Sequence, residues 1–347
     1  MRRMTKIIAA IALCFAALTS CRHKELCLHH PHTANVRIDV DWSGFEKEVP
    51  TGMTVMVYDD NGDLVESHLT NTTTHAYVSL EAGTYHSIVY NQSTSEFGSV
   101  KFNGMDNYAT AEVCTRPVVS KWYKTKAEEE RVGADPEWIG ADRVENSVVT
   151  PEMVDETTEH FVLESKTRAG REMSYVIAEH HPLNIIYTVY VTIHVDGIYN
   201  LRSARASLEG LAEGYVFHKE GPTASIVTQL LESWDMTQDK TDPTKGYVTS
   251  KITCFGLPDG HKGLPEENPF VFSALLVDNA TIAQFPFEVG DKFRKRVVDG
   301  VEQEMEYEIE LWLSVPLPDV PPAGGSSSGF DAIVEEWGDE IEQNIQM

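Results

Sequence analysis

An all-β fold of two tandem β-sandwich domains is what this 347-residue chain predicts. Three observations carry that expectation. Runs such as VRIDVDW (Val36 to Trp42) alternate apolar and polar residues with period two, as half-buried strands do. Asn61-Gly62, Asp278-Asn279 and Asp299-Gly300 each separate two strand-like runs, and such pairs supply the positive φ angles of tight hairpin turns. The roughly 325 residues left after N-terminal processing exceed one ordinary domain, so two are expected.

The order of elements begins with an export segment. Arg2, Arg3 and Lys6 precede an apolar stretch from Ile7 to Leu18, which has signal-peptide length and falls short of the ~20 residues of a membrane-spanning helix. Residues 1–20 are therefore expected to direct export and to be removed. Leu18-Thr19-Ser20-Cys21 resembles a bacterial lipobox, which makes Cys21 the expected lipid attachment site and the outer membrane the expected location. Residues 21–33 carry His23, Cys27, His29, His30 and His32. On an extended strand only Cys27 with His29, or His30 with His32, face one way, and the chain offers no second pair such as CxxC or HxxxH. A polar tether is the expectation; zinc ligation is the alternative.

Residues 34–180 are expected to form the first sandwich. TVMVYDDNGDLVESHL gives a hairpin, and HAYVSLEAGTYHSIVYNQ adds strands around a turn at Gly83. An excursion over residues 120–160 is charged, broken by Pro136 and Pro151, and low in β-branched residues; it is read as loop with one or two short helices, its Glu128–Glu130 run solvated. FVLESK (Phe161 to Lys166) returns to strand texture. Residues 181–347 are expected to form the second sandwich, beginning with LNIIYTVYVTIHVDGI, with bends or bulges at Gly210 and Gly214. A loop from Pro316 to Gly329 precedes FDAIVEEWGDEIEQNI, read as a terminal strand.

Composition limits function. Acids outnumber bases 54 to 28, the net charge is -26, and losing Arg2, Arg3 and Lys6 makes it more negative still. Such a surface repels phosphate backbones and anionic headgroups, which excludes nucleic acid as a partner and leaves lipid as the means of membrane attachment. With Cys14 in the signal and Cys21 modified, Cys27, Cys114 and Cys254 allow at most one disulfide, so packed cores must hold the fold.

No GxSxG, HExxH, phosphate-cradling glycine loop or GxGxxG follows a strand, so no catalytic residue, metal site or cofactor is assigned. Glu179-His180-His181 is read as a polar linker between domains. Of the aromatics that could stack on sugars (Trp42, Trp122, Tyr123, Trp138, Trp234, Trp312, Trp337), Trp42 and Trp312 lie in alternating runs and are expected in the core. Trp122 and Trp138 lie in the excursion and are the candidates for a glycan-binding surface.

The lipobox, VMVYDDNGDLV, LEAGTYHSIVYN, DPEWIGA and PLNIIYTVYVTIHVDGIYNLRSARASLEGLAEGYVF together resemble the fimbrillin-type lipoproteins of Bacteroidales, near their anchor and accessory branch. The resemblance implies two transthyretin-like, Greek-key sandwiches and a role in fimbria assembly with other fimbrial subunits by β-strand addition. Shaft subunits of that family are cut after an arginine that frees their first strand. Here Arg37 lies inside the predicted strand and the next arginine is Arg116, so strand 36–42 is expected to stay, as suits an anchor or accessory subunit. The expected partner strand is the C-terminal stretch, with Phe330, Ile333, Val334, Trp337 and Ile341.

Overall fold

The computed structural model describes residues 33–45, 50–154 and 175–323. The first half contains β1 (Ala34–Val40), β2 (Met53–Asp59), β3 (Leu64–Thr70), β4 (His75–Leu80), β5 (Gly83–Asn91), β6 (Val100–Asn103), β7 (Glu112–Thr115), β8 (Gly140–Val149), β9 (Tyr175–His180) and β10 (Leu183–Asn184). The second contains β11 (Tyr187–Asp196), β12 (Leu201–Ala212), β13 (Gly214–Val216), β14 (Gly221–Pro222), β15 (Ile226–Leu231), β16 (Asp235–Gln238), β17 (Lys245–Cys254), β18 (Pro269–Leu276), β19 (Ile282–Glu288), β20 (Arg294–Val298) and β21 (Val301–Trp312). The fold is all-β, in two sandwiches, as the sequence predicts.

In the first sandwich the sheet β4-β1-β9 faces the sheet β10-β8-β5-β2-β3. Val36, Ile38, Val55, Val57, Val78 and Val89 meet between them. In the second, β16-β17-β11-β21-β20 faces β15-β12-β18-β19 across a core that includes Val191, Ile193, Leu208, Phe270, Phe272 and Ile309. The predicted hairpins sit where their turn residues require positive φ: Gly62 at 86°, Asn279 at 60°, Asp299 at 50° and Gly300 at 80°. Gly210 is a bulge, with φ of 76° and a break in register between Leu208 and Leu211.

The two halves trace one path. β1 lies between β4 and β9, β2 between β3 and β5, and β8 beyond β5; likewise β11 lies between β17 and β21, β12 between β15 and β18, and β19 beyond β18. In each half the first strand runs parallel to a late one, β1 with β9 and β11 with β21. Each half also carries an inserted pair of strands: β6 and β7 in the first, β13 and β14 in the second. The insertions join, because β7 pairs with β13 and Gly214 lies opposite Cys114, to make one four-stranded sheet from both halves. A Cβ at Gly214 would strike the Val113 carbonyl oxygen, which explains a glycine there.

This shared sheet covers the outer face of β2 and β5. Met56, Tyr58, Ile88 and Tyr90 pack beneath Phe97, Val100 and Val113, and meet Ala212, Phe217 and Phe255 from the second half. Buried on both faces, β2 is apolar almost throughout instead of alternating.

The excursion differs from its prediction. β8 lies inside it and is a strand paired with β5 along most of its length, with the two-residue β10 on its other side. Its sequence GADRVENSVV hid this, because Arg143 and Glu145 pair with each other at the sheet surface at 2.5 Å and look like loop composition. Among the described residues of the excursion, helix is confined to 151–154, one short helix of the one or two expected. Glu128 and Glu129 are exposed, as expected, but Glu130 accepts from the Tyr123 hydroxyl and the Thr228 hydroxyl and is half-buried. FVLESK lies outside the described residues.

Candidate functional site

The first strand is held in place on both sides. β1 is antiparallel to β4 on one side and parallel to β9 on the other, with Arg37 opposite Tyr77. Ala34, Val36, Ile38 and Val40 are buried, and burying an aliphatic side chain of this kind is worth about 1.5–3 kcal/mol. Arg37 is tied to Asp39 at 2.7 Å. Arg37 therefore lies within a strand that is paired on both edges and seated in the core, as the sequence predicts.

At the end of β9 a buried polar network reinforces this arrangement. His180 is 0% exposed; its Nδ1 lies 3.0 Å from Asp142 Oδ2 in β8, and its Nε2 lies 2.8 Å from Ser87 Oγ in β5. The His181 backbone N–H also donates to Asp142 Oδ2, at 2.9 Å. Burial pushes the Asp142 carboxyl upward, but the hydrogen bond and charge of His180, with backbone donors, outweigh it and hold the group below its ordinary value. The residue types are those of a hydrolytic triad. Ser87, however, is 2% exposed and sits mid-strand, not on a turn that would present its hydroxyl to a substrate. The network ties β9 to the opposite sheet, so His180 is a core residue and not the linker expected from sequence.

The open edges differ in how they are protected. β19 carries Pro286, and β20 carries Arg294, Lys295 and Arg296; both devices discourage pairing with another chain. β15 is covered by an extended segment of the same chain: Val132 bridges Thr228 in parallel, Thr228 donates to the Arg131 carbonyl at 2.8 Å, and Gly133 donates to the Thr228 carbonyl at 2.9 Å. β3 occupies the same place in the first half that β15 occupies in the second. Beyond its first residue, where Leu64 donates to Asp106, no described segment pairs with its outer edge. It exposes Val65 (47%) and Leu69 (59%), and has neither proline nor lysine to block addition.

The remaining sequence-predicted residues are placed as follows. Leu18, Thr19, Ser20 and Cys21, the histidines of the tether, Cys27, and the C-terminal Phe330, Ile333, Val334, Trp337 and Ile341 lie outside the described residues. Among the described residues no group of three or more His, Cys, Asp or Glu is placed to hold a metal ion, and no helix is long and apolar enough to cross a membrane. Cys114 and Cys254 are buried free thiols.

The tryptophans depart from expectation. Trp312, expected in the core, is 59% exposed and stacks on His194 at 4.8 Å, because its side of β21 faces solvent. Trp42 lies past the end of β1 in a 3-10 turn, half-buried, its Nε1 donating to Thr73 O at 2.8 Å. Trp122 and Trp138, expected to be exposed, are both half-buried. Trp122 donates to Glu232 and lies under Arg205, whereas Trp138 lines a cleft of about 370 Å³ with Tyr190 and Asp135 that Trp122 does not reach. They do not form one platform. Neither the bare β3 edge nor the His180 network was found from sequence; the alternation of LVESHL hinted at a strand but not at an edge.

Comparison with known proteins agrees with this architecture. A crystal structure of a candidate adhesin from Bacteroides ovatus superposes over 87% of this chain and 99% of its own, with a TM-score of 0.54 at 16% identity, and so has the same fold. The fimbrial anchor protein Mfa2 from Porphyromonas gingivalis aligns over 81% of this chain and 90% of its own, with a TM-score of 0.46 at 11% identity. A Bacteroides ovatus protein provisionally named fimbrium anchoring subunit Fim4B is 30% identical over 100 residues, a stretch that spans 28% of each chain. The family described as a domain of unknown function (DUF5119) matches residues 20–232, more than half of the chain, and the chain belongs to it.

Proposed function

We propose that this protein is a cell-surface fimbrial subunit of the anchor or accessory kind, held to the outer membrane by lipid on Cys21 and joined to a fimbrial partner by β-strand addition. Its role is structural and adhesive, not enzymatic. The names of the relatives above support a fimbrial or adhesin-like surface protein.

The bare edge of β3 carries the reading of strand addition. The equivalent edge in the second half accepts an extended segment of the chain itself, so this fold pairs an added strand at that position. β1, in contrast, is held in place, which suits a subunit that keeps its own first strand. The acidic stretch containing Phe330, Ile333, Val334, Trp337 and Ile341 is the candidate strand for donation to a partner.

The test is an outer-membrane pull-down of the tagged protein, run on denaturing gels with and without boiling. A ladder that survives detergent and collapses on heating is expected. Val65→Lys with His68→Lys should remove it if the partner strand docks on β3; deletion of residues 330–347 should remove it if that stretch is donated. A single band at monomer size from the unaltered protein, or a ladder indifferent to both changes, overturns strand addition. Cys21→Ser should abolish palmitate labelling and release the protein from membranes.

A further inference from the structure

A second feature of the first half is independent of strand addition. A cleft of about 520 Å³ opens between the outward face of β2 and β3 and the strand β6, a size in the range of small-ligand sites. Its floor is apolar: Met56 and Met105 flank Tyr90 and Phe102, whose rings stack at 4.8 Å. One rim is a run of hydroxyls, Ser93, Thr94 and Ser95, presented by a turn in which Gln92 has φ of 65°.

The charge of the cleft runs against the charge of the chain. Acids outnumber bases 54 to 28 overall, yet the charged side chains lining the cleft are Lys101 and Arg116, both cations. Among the described residues neither meets a carboxylate, although Arg37, Arg131, Arg143 and Arg296 all do. The backbone sets the two side by side. Lys101 lies opposite Cys114, and Arg116, two residues on, donates its N–H to Ser99 O at 2.7 Å; alternation puts both cations as diagonal neighbours on the face of the β6–β7 pair opposite Phe102, from which they line the cleft over its edge as part of the rim.

These features select a ligand. Two cations that meet no carboxylate among the described residues call for an anion, while the strongly negative chain around them repels a polyanion, so one carboxylate is favoured over a phosphate chain. The floor and the rim call for a ring with an apolar face and a hydroxyl-bearing edge. We propose that the cleft binds an acidic sugar of one or two rings, its carboxylate between Lys101 and Arg116, its apolar face on Phe102 and Met105, and its hydroxyls on Ser93 to Ser95.

Titration calorimetry on the full chain in detergent tests this with digalacturonate, neutral cellobiose and the dipeptide Glu-Glu. Saturable digalacturonate binding is expected, with the other two at least tenfold weaker, about 1.4 kcal/mol. Lys101→Gln and Arg116→Gln should each weaken it about tenfold with no change in melting temperature, and added salt should weaken it further. Absence of digalacturonate binding, equal binding of cellobiose or the dipeptide, or binding that survives the double substitution overturns the proposal. Because neither substitution touches the outer edge of β3, the fimbrial ladder should persist in both variants.

Discussion

His180 shows how a residue can be visible in sequence and still be misread. A histidine pair before a proline has the composition of a linker; what makes His180 a core residue is the pairing of Ser87 and Asp142 with its two ring nitrogens, from strands about 40 and 90 positions away. His180→Ala leaves the Asp142 carboxylate short of a partner and should cost about 1–3 kcal/mol in urea denaturation. Because the carboxyl of Asp142 is held below its unfolded value, its contribution is complete above that value, near pH ~4, and is lost as pH falls through the folded one. Asp142→Asn should therefore lower stability at pH 7 and flatten its decline below pH 4; an unchanged acid limb would place the pH sensitivity elsewhere. The thiols behave similarly. Burial, with Glu112 beside Cys114, pushes both Cys114 and Cys254 up to about 12, so a thiol reagent at pH 8 should modify neither until denaturant is added.

At the scale of elements, turn chemistry was legible and edges were not. Asn61-Gly62 and Asp299-Gly300 announce hairpins because glycine, and after it asparagine and aspartate, take positive φ at least cost, as Gly62, Asp299 and Gly300 do here. An edge is a property of what lies beside a strand, and nothing in LVESHLT or IVTQLL distinguishes the bare β3 from the covered β15. β8 was missed for a related reason: its charges are paired across the sheet surface, and composition does not report pairing. The cover on β15 makes a specific prediction. Val132 is buried, so Val132→Asp should unseat the 131–133 segment, cost about 1–3 kcal/mol, and leave a second bare edge. Concentration-dependent association should then appear in light scattering, whereas Val65→Asp, on an exposed position of β3, should change stability by less than about 0.5 kcal/mol.

For the whole molecule, the repeated strand path of the two halves left no trace in the sequence, since pairing order is conserved by topology while the side chains that fill each core differ. The insertions obscured it further, yet they convert two sandwiches into one body. The Phe217 ring lies parallel to that of Phe102, 6.3 Å away, and also packs on Tyr90; it is 2% exposed, so the second half places an aromatic into a cavity built by the first. A core shared in this way makes the unfolding of either half expose apolar surface of the other, so the full chain should unfold in a single calorimetric transition despite its length. Phe217→Ala removes about 3–5 kcal/mol of that shared packing without entering the principal core of either sandwich. The transition should then split in two, with the order of melting showing which half depends more on the other. A variant that melts lower but still in one step would mean that the backbone pairing of β7 with β13 suffices to couple the halves, and Gly214→Val, which drives a side chain into that pairing, should then be the change that separates them.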